Sequence, residues 1–249
     1  MSMNLYLITG TTNGLGAALQ RALLASRDNY LVTLSRAPDS GAGDARHTNH
    51  CLDLADPQAF SAVLSRIEIQ LAGRAFARAV LINNAGVIAP IGRFDDLGSD
   101  TLALNIQVNL IAPMQLAGWF AAFTRDIAAK RLIINISSGA ATRAIAGWSV
   151  YCAAKAGLEM ATRVAALEAA ACDPTLSICS LAPGVIDTPM QQNVRASNAD
   201  AFPDAARFRA MKADGVLRPA DDVARDILRL IDNGMLGNGG NFDIRELST

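Results

Sequence analysis

Short apolar runs of strand length recur along the chain: NLYLIT from residue 4, YLVTLS from 30, TNHCLDL from 48, RAVLINN from 78, RLIINIS from 131, LSICSLA from 176 and NFDI from 241. Between them apolar positions return at helical spacing, as in GAALQRALLAS (16–26), PQAFSAVLSRIEIQLA (57–72) and DDVARDILRLID (221–232). Strands alternating with long helices predict right-handed βαβ units and a parallel sheet. Runs this apolar on both faces suit a sheet covered by helices on both sides. The expected class is therefore α/β, one domain over residues 1–249, with no internal repeat or low-complexity tract. Residues 190–218, MQQNVRASNADAFPDAARFRAMKADGVLR, are polar and interrupt the pattern. They read either as a short helical lid or as a surface excursion.

Composition narrows the possibilities. The chain has 249 residues, 51% of them apolar, and a formal net charge of −1. That is enough apolar material for one large core. No long run of like charges occurs, so no nucleic-acid or anionic-membrane partner is expected. The apolar stretch 111–123 is broken by Pro113 and Gln115 and is short for a bilayer span. The first residues lack a basic n-region and lead straight into a strand, so no secretory signal is expected. The cysteines at 51, 152, 172 and 179 have no CxxC spacing. They read as reduced thiols of a cytoplasmic protein, with no metal site.

Two stretches carry chemistry. TGTTNGLG (9–16) places Gly10, Gly14 and Gly16 between the first strand and the first helix. Such a turn aims backbone N–H groups and a helix N-terminus at a pyrophosphate. YCAAK (151–155) sets Tyr151 and Lys155 four apart in an alanine-rich helix, on one face and one turn from each other. Either this is a surface pair without a task, or the phenol's proton is meant to move. A free tyrosine, with a pKa of about 10, exchanges its proton poorly near neutrality. A nearby ammonium stabilises the phenolate and is expected to lower that pKa. Asn109 lies in an apolar helix, four residues before Pro113. Proline has no N–H to bond the Asn109 carbonyl and should bend the helix there.

With NNAG at 83–86, VNL at 108–110 and NISS at 135–138, these stretches resemble the short-chain dehydrogenase/reductase family over nearly the whole chain. The resemblance implies a single-domain Rossmann fold, doubly wound around a seven-stranded parallel sheet. It also implies NAD(P) binding and hydride transfer to or from a carbonyl. By resemblance the catalytic set is Asn109, Ser138, Tyr151 and Lys155. Tyr151 would donate the proton, Ser138 would bond the substrate oxygen, Lys155 would also hold the nicotinamide ribose, and Asn109 would hold a water leading to solvent. Ser137 should point to the other face of its strand. Cofactor contacts are expected at Gly10, Thr12, Asn13, Gly14, Leu15 and Gly16, at Asp53 and Leu54, and at Asn84, Ala85 and Gly86. Further contacts are expected at Pro183, Gly184, Ile186, Thr188 and Met190, besides Tyr151 and Lys155. Asp53 also reads as a strand-end cap for the following helix, and Asn83, Ala85 and Gly86 as shapers of the sheet.

At the end of the second strand stand Ser35 and Arg36. An acid here would bond both ribose hydroxyls of NAD; its absence and an arginine favour the 2′-phosphate of NADP. Asn13 dissents, since many NADP-preferring relatives carry a basic residue in the glycine turn. The expected cofactor is NADP(H), with residual NADH use. GWSVYCAAK, APGVIDTPMQQNVR and GGNFDI are similar to the sepiapterin and microbial benzil reductases. In that group Trp148 would face the substrate, although core packing is the other reading. Asp243 would match a pterin anchor, or be a strand-end surface aspartate.

The expected activity is NADPH-dependent reduction of a small-molecule ketone or diketone, with sepiapterin reduction as the alternative. A non-catalytic NADP sensor on the same fold is the rival of another class. A serine hydrolase is disfavoured, because both histidines precede Ser138 and no GxSxG occurs. The alanine-rich face of 149–172 suits packing in a homodimer or homotetramer.

Overall fold

The computed structural model describes residues 3–38 and 43–247. Seven parallel strands form one sheet: β1 Asn4–Thr9, β2 Asn29–Ser35, β3 His47–Cys51, β4 Phe76–Asn83, β5 Ala128–Ile136, β6 Leu176–Ala182 and β7 Asn241–Asp243. Their order is β3-β2-β1-β4-β5-β6-β7. The chain winds outward from β1 in one direction and, from β4, in the other. The doubly wound expectation is met, and the order reverses between β1 and β4, where such sheets open a crevice for ligands.

Helices cover both faces. On one face α1 (Gly14–Leu24) lies beside α8 (Ala220–Asp232). Leu15, Leu19 and Leu23 meet Val223, Ile227 and Ile231 over Ile8, Val80 and Ile134 of the sheet. The other face carries α2 (Ala59–Leu71), α4 (Ala112–Phe123) and α5 (Ser149–Cys172). Phe60, Leu116, Phe120 and Ala166 pack there on Leu7, Val32 and Leu81. β1 from Leu5 onward and all of β2 are buried, as a strand covered on both sides must be. β3 is the exception at the sheet edge, and its sequence HTNHC is polar. There Asn49 donates to the hydroxyls of Thr33 at 3.0 Å and Ser35 at 2.7 Å, so the edge is held partly by side chains.

The helix before β5 is not regular. After α3 (Ser99–Ile106) the backbone widens to a π turn over Gln107–Ile111 before α4 begins. Asn109 sits inside this turn. The irregularity expected at Pro113 therefore takes the form of a π insertion just ahead of the proline. Such turns are rare and concentrate at functional sites. Among the described residues, the helical run Ser99–Asp126 is long and apolar enough to cross a membrane. Here it lies along the sheet, with Val108, Ala112, Leu116 and Phe120 in the core.

Residues 190–218 fold as two short helices, α6 (Pro189–Ala196) and α7 (Ala205–Ala213). The segment is pinned at its base. Asp187 accepts from Lys212 at 2.5 Å and lies 3.6 Å from Arg195. The Arg218 N–H bonds the Val185 carbonyl, and the Asp187 N–H bonds the Arg218 carbonyl. β7 leads into the short α9 (Ile244–Leu247).

Candidate active site

The glycine turn between β1 and α1 is shaped by the lack of side chains. Gly10 has φ +73°, and a Cβ there would lie 2.9 Å from the Cα of Ala85. A Cβ on Gly16 would stand 2.0 Å from the Gly10 carbonyl oxygen. Gly14 has φ +57° and faces Thr188, whose methyl carbon would be 3.2 Å from a Cβ. The turn is thus drawn against both the 83–86 and the 183–190 segments. Asn84 holds it there, donating to the carbonyls of Thr9 at 2.9 Å and Gly10 at 3.1 Å. The Thr9 hydroxyl accepts from the N–H groups of Asn84 and Ala85. Asn84 and Ala85 therefore shape the crevice. Helix α1 opens at Asn13 with no side-chain cap and no acid in its first turn. The side-chain amide of Asn13 turns to the Thr12 hydroxyl instead. An N-terminus left this way suits a phosphate group.

Not every expected contact faces the crevice through its side chain. Leu15, Leu54 and Ile186 are buried in the apolar clusters, so any approach by them to a ligand uses the backbone. Pro183 is buried as well. The Ser35 hydroxyl is buried and committed, donating to the Ala37 carbonyl at 2.6 Å and accepting from Asn49. Arg36, the next residue, is exposed. Asp53 accepts from the Ala55 N–H at 3.0 Å in a local turn after β3, and α2 opens at Gln58 with no side-chain cap, so Asp53 does not cap the following helix. Asn83 donates to Asn135 at 2.8 Å and to the Pro113 carbonyl at 3.2 Å, inside the protein.

Gly86 is where the far segments converge. A Cβ on it would lie 2.9 Å from Asn109 Oδ1, 3.9 Å from Lys155 Nζ and 4.0 Å from Met190 Cε. Asn109 is fully buried, and its side chain is spent on positioning. Oδ1 accepts from the Val87 N–H at 3.0 Å, while Nδ2 donates to the Val87 carbonyl at 2.7 Å and to Asn105 at 2.8 Å. Asn105 in turn donates to the Ala89 carbonyl at 2.7 Å. Sequence reasoning missed Asn105; its spacing of four from Asn109 was the available signal.

Ser138 stands two residues past β5 in extended backbone and caps a short 3₁₀ turn, its Oγ accepting from the Ala140 N–H at 3.2 Å. Tyr151 and Lys155 lie on one face of α5, the ammonium 5.8 Å from the ring centre. They are 7% and 4% exposed, so the surface-pair reading falls. Lys155 Nζ donates to the Ile136 carbonyl at 2.8 Å. Burial pushes the phenol up to about 12, while a hydrogen bond with Ser138 opposes it. The expectation that the ammonium lowers the phenol is not met, because desolvation dominates and Lys155 is not among the causes. Lys155 is itself lowered to about 8 by burial, with Glu159 opposing. In this arrangement the phenol is a stored proton and the ammonium is the group poised to titrate.

Trp148 stands at the N-terminus of α5, 6% exposed. Its ring meets Tyr151 edge-on at 5.7 Å and stacks on Phe202 at 4.8 Å, with Phe208 beyond. The core-packing reading of Trp148 is realised, in a core that borders the phenol. The stack is allowed by Gly147, φ +85°, where a Cβ would lie 2.5 Å from the Ala201 carbonyl. Phe202 and Phe208 come from the 190–218 segment and were not anticipated; no local pattern ties them to position 148. Asp243 is paired with Arg245, whose Nε donates at 2.8 Å and whose Nη2 also meets the carboxylate. This pair holds the Asp243 carboxyl below the usual range. Arg245 lies against Gly184, its Cγ 3.7 Å from a Cβ placed there. Asp243 therefore borders the site but is already engaged. Among the described residues no group of three His, Cys, Asp or Glu side chains could hold a metal ion.

This geometry has counterparts. Residues 4–199 match the model of the short chain dehydrogenase family. The chain is 36% identical over 248 residues to a benzil reductase ((S)-benzoin forming) of Bacillus subtilis, covering 98% of this chain and 99% of that protein. It is 28% identical to the sepiapterin reductase of Rattus norvegicus, covering 96% of this chain and 95% of that one. A short chain dehydrogenase/reductase of Saccharomyces cerevisiae superposes with a TM-score of 0.83 at 20% identity, covering 97% of this chain and 96% of that one, and so shares the fold. This chain belongs to the short-chain dehydrogenase family and is an oxidoreductase.

Proposed function

We propose that the protein is an NADPH-dependent carbonyl reductase of ketones and diketones, with Tyr151 as proton donor. The observation that carries this is the convergence of buried Tyr151 and Lys155 with Ser138 beside the glycine turn, next to an aromatic wall. The turn from Gly10 to Gly16 and the uncapped start of α1 would hold the pyrophosphate, with Gly86, Gly184, Thr188 and Met190 lining the crevice. Arg36, exposed at the end of β2 where no acid stands, would clasp the 2′-phosphate. Bound there, the nicotinamide supplies the hydride.

The remaining steps belong to the chain's own side chains. Ser138 Oγ offers a hydrogen bond to the substrate oxygen and lowers the cost of charge developing on it. Tyr151 donates its phenolic proton to that oxygen. Lys155 would offer its ammonium, 5.8 Å from the ring, to the phenolate left behind, and Asn109, held by Asn105 and Val87 within the π turn, would hold a water leading from Lys155 to solvent. Trp148, Phe202 and Phe208 would meet the rest of the substrate, which favours an aromatic ketone. The B. subtilis relative is named for benzil, an aromatic diketone in keeping with that wall. The alternative, a pterin substrate anchored by Asp243, would have to break the Asp243–Arg245 pair. We place the protein in the cytoplasm, in keeping with its four free thiols. We assign a homodimer or homotetramer, supported by exposed Met160, Val164 and Leu167 on one stripe of α5 and exposed Leu104, Ile111 and Met114 nearby in sequence on the preceding helices.

The test is loss of NADPH absorbance with benzil, other diketones and sepiapterin. Turnover of diketones above sepiapterin supports the reading. Tight cofactor binding without turnover of any carbonyl compound would point to the sensor instead.

A further inference from the structure

Three groups of α5 stand one turn apart on one face: Tyr151, Lys155 and Glu159. The proposed reduction uses the first two and leaves the third without a task. Glu159 is 8% exposed, and a carboxylate so placed needs compensation. Its Oε1 accepts from Ser137 Oγ at 2.6 Å, and its Oε2 accepts from Asn241 Nδ2 of β7 at 3.1 Å. One turn earlier, Lys155 donates to the carbonyl of Ile136. Ile136 and Ser137 are consecutive and lead directly into Ser138. Lys155 and Glu159 therefore grip neighbouring residues at the end of β5, and β7 closes the carboxylate from behind.

The surrounding charges leave Lys155 as the counter-charge. Arg163, one further turn along α5, is exposed and turns its guanidinium to Met160 Sδ at 3.5 Å. The strands facing Glu159 contribute neutral Ser137 and Asn241. On Lys155 the charge that acts is Glu159. The other titratable group facing it is Tyr151, a neutral phenol until well above neutrality, and Cys152 acts on Tyr151 rather than on the ammonium.

We infer that Glu159 is a positioning residue for the proposed reduction, a buried counter-ion that offsets the charge of Lys155 and ties it to the strand end carrying Ser138. This rests on the reading of Lys155 as part of the active site. The physical consequence is directional. Burial disfavours an ammonium and lowers its pKa, and an opposite charge nearby works against that loss. Removing the charge of Glu159 while keeping its shape should make Lys155 give up its proton at lower pH.

The chain has only three lysines, at 130, 155 and 212, so a ¹³Cε-lysine NMR titration of the full-length protein can follow each. Lys155 is assigned by the signal lost in Lys155→Met. We expect the Lys155 midpoint of about 8 to fall by about one unit or more in Glu159→Gln, since a close opposite charge moves a pKa by that much. The alkaline limb of kcat for diketone reduction should move the same way. Glu159→Asp, which keeps the charge, should restore the midpoint to within about half that shift. Glu159→Met, of similar volume and uncharged, serves where the Gln variant is too unstable to titrate. An unchanged Lys155 midpoint in the uncharged variants would overturn the proposal. So would a lowered Tm with the parent pH profile, which is the signature of a purely structural carboxylate. A shifted midpoint in a protein that reduces no carbonyl compound would sink the reductase reading and still uphold the coupling of Glu159 to Lys155.

Discussion

The two ends of the crevice are built differently. At the end proposed for the cofactor, the turn from Gly10 to Gly16 is made of backbone. Its shape follows from positive φ at Gly10 and Gly14 and from the missing Cβ of Gly16, and all three lie within one short stretch. At the end proposed for the substrate, the wall is made of side chains. Trp148 meets Phe202 and Phe208 across some fifty residues of chain, through a segment pinned by Asp187 to Lys212 and Arg195. A backbone device is written locally and tolerates little change. A side-chain wall can be recomposed position by position.

The comparison breaks most visibly at Tyr151, which borders the aromatic wall at Trp148 and lies one turn from Lys155. Tyr151→Phe should lower kcat by roughly 10²–10⁴-fold, the usual contribution of general acid catalysis, with the Kd for cofactor within a few-fold of the parent. Steady-state kinetics and a cofactor fluorescence titration check both halves; near-normal turnover would remove Tyr151 as donor.

Next in size is Gly16→Ala. Its Cβ would fall 2.0 Å from the Gly10 carbonyl, so the turn itself must move. Overpacking of this kind costs roughly 1–3 kcal/mol, and cofactor affinity should drop with it. Thermal melts with and without NADPH separate the two, and a parent-like cofactor response would mean the turn does not hold the pyrophosphate.

Arg36→Ala should lower the NADPH-to-NADH ratio of kcat/KM by about ten- to 150-fold, the worth of a charged hydrogen-bonded contact. An unchanged ratio would leave Arg36 a solvated loop charge. The smallest effect is expected at the wall. Phe202→Leu should raise KM for benzil a few-fold while KM for a small aliphatic diketone stays put, since a modest loss in an apolar pocket discriminates weakly. Equal changes for both substrates would show that Phe202 only packs.

The pH dependence joins the two ends. Lys155 is lowered to about 8, so its ammonium is present below that pH and lost as pH rises through it. The rate of carbonyl reduction should therefore decline above about pH 8, while Tyr151, raised to about 12, stays protonated throughout.

The chain by itself determined the alternating elements, the parallel sheet and the local devices. Apolar runs on both faces of β1 and β2, the glycines of the first turn and the Tyr151–Lys155 spacing are all short-range patterns. Each follows from the period of a strand or helix, or from a backbone only glycine adopts. Tertiary structure decided what those groups experience. Burial, and not the neighbouring ammonium, sets the phenol of Tyr151. The helix irregularity expected at Pro113 became a π turn around Asn109, whose side chain is held by Val87 and Asn105. Asp243 found Arg245 before any substrate, and Trp148 found Phe202. Desolvation, pairing and stacking depend on which distant segments arrive at the same place, and no period in the sequence encodes that.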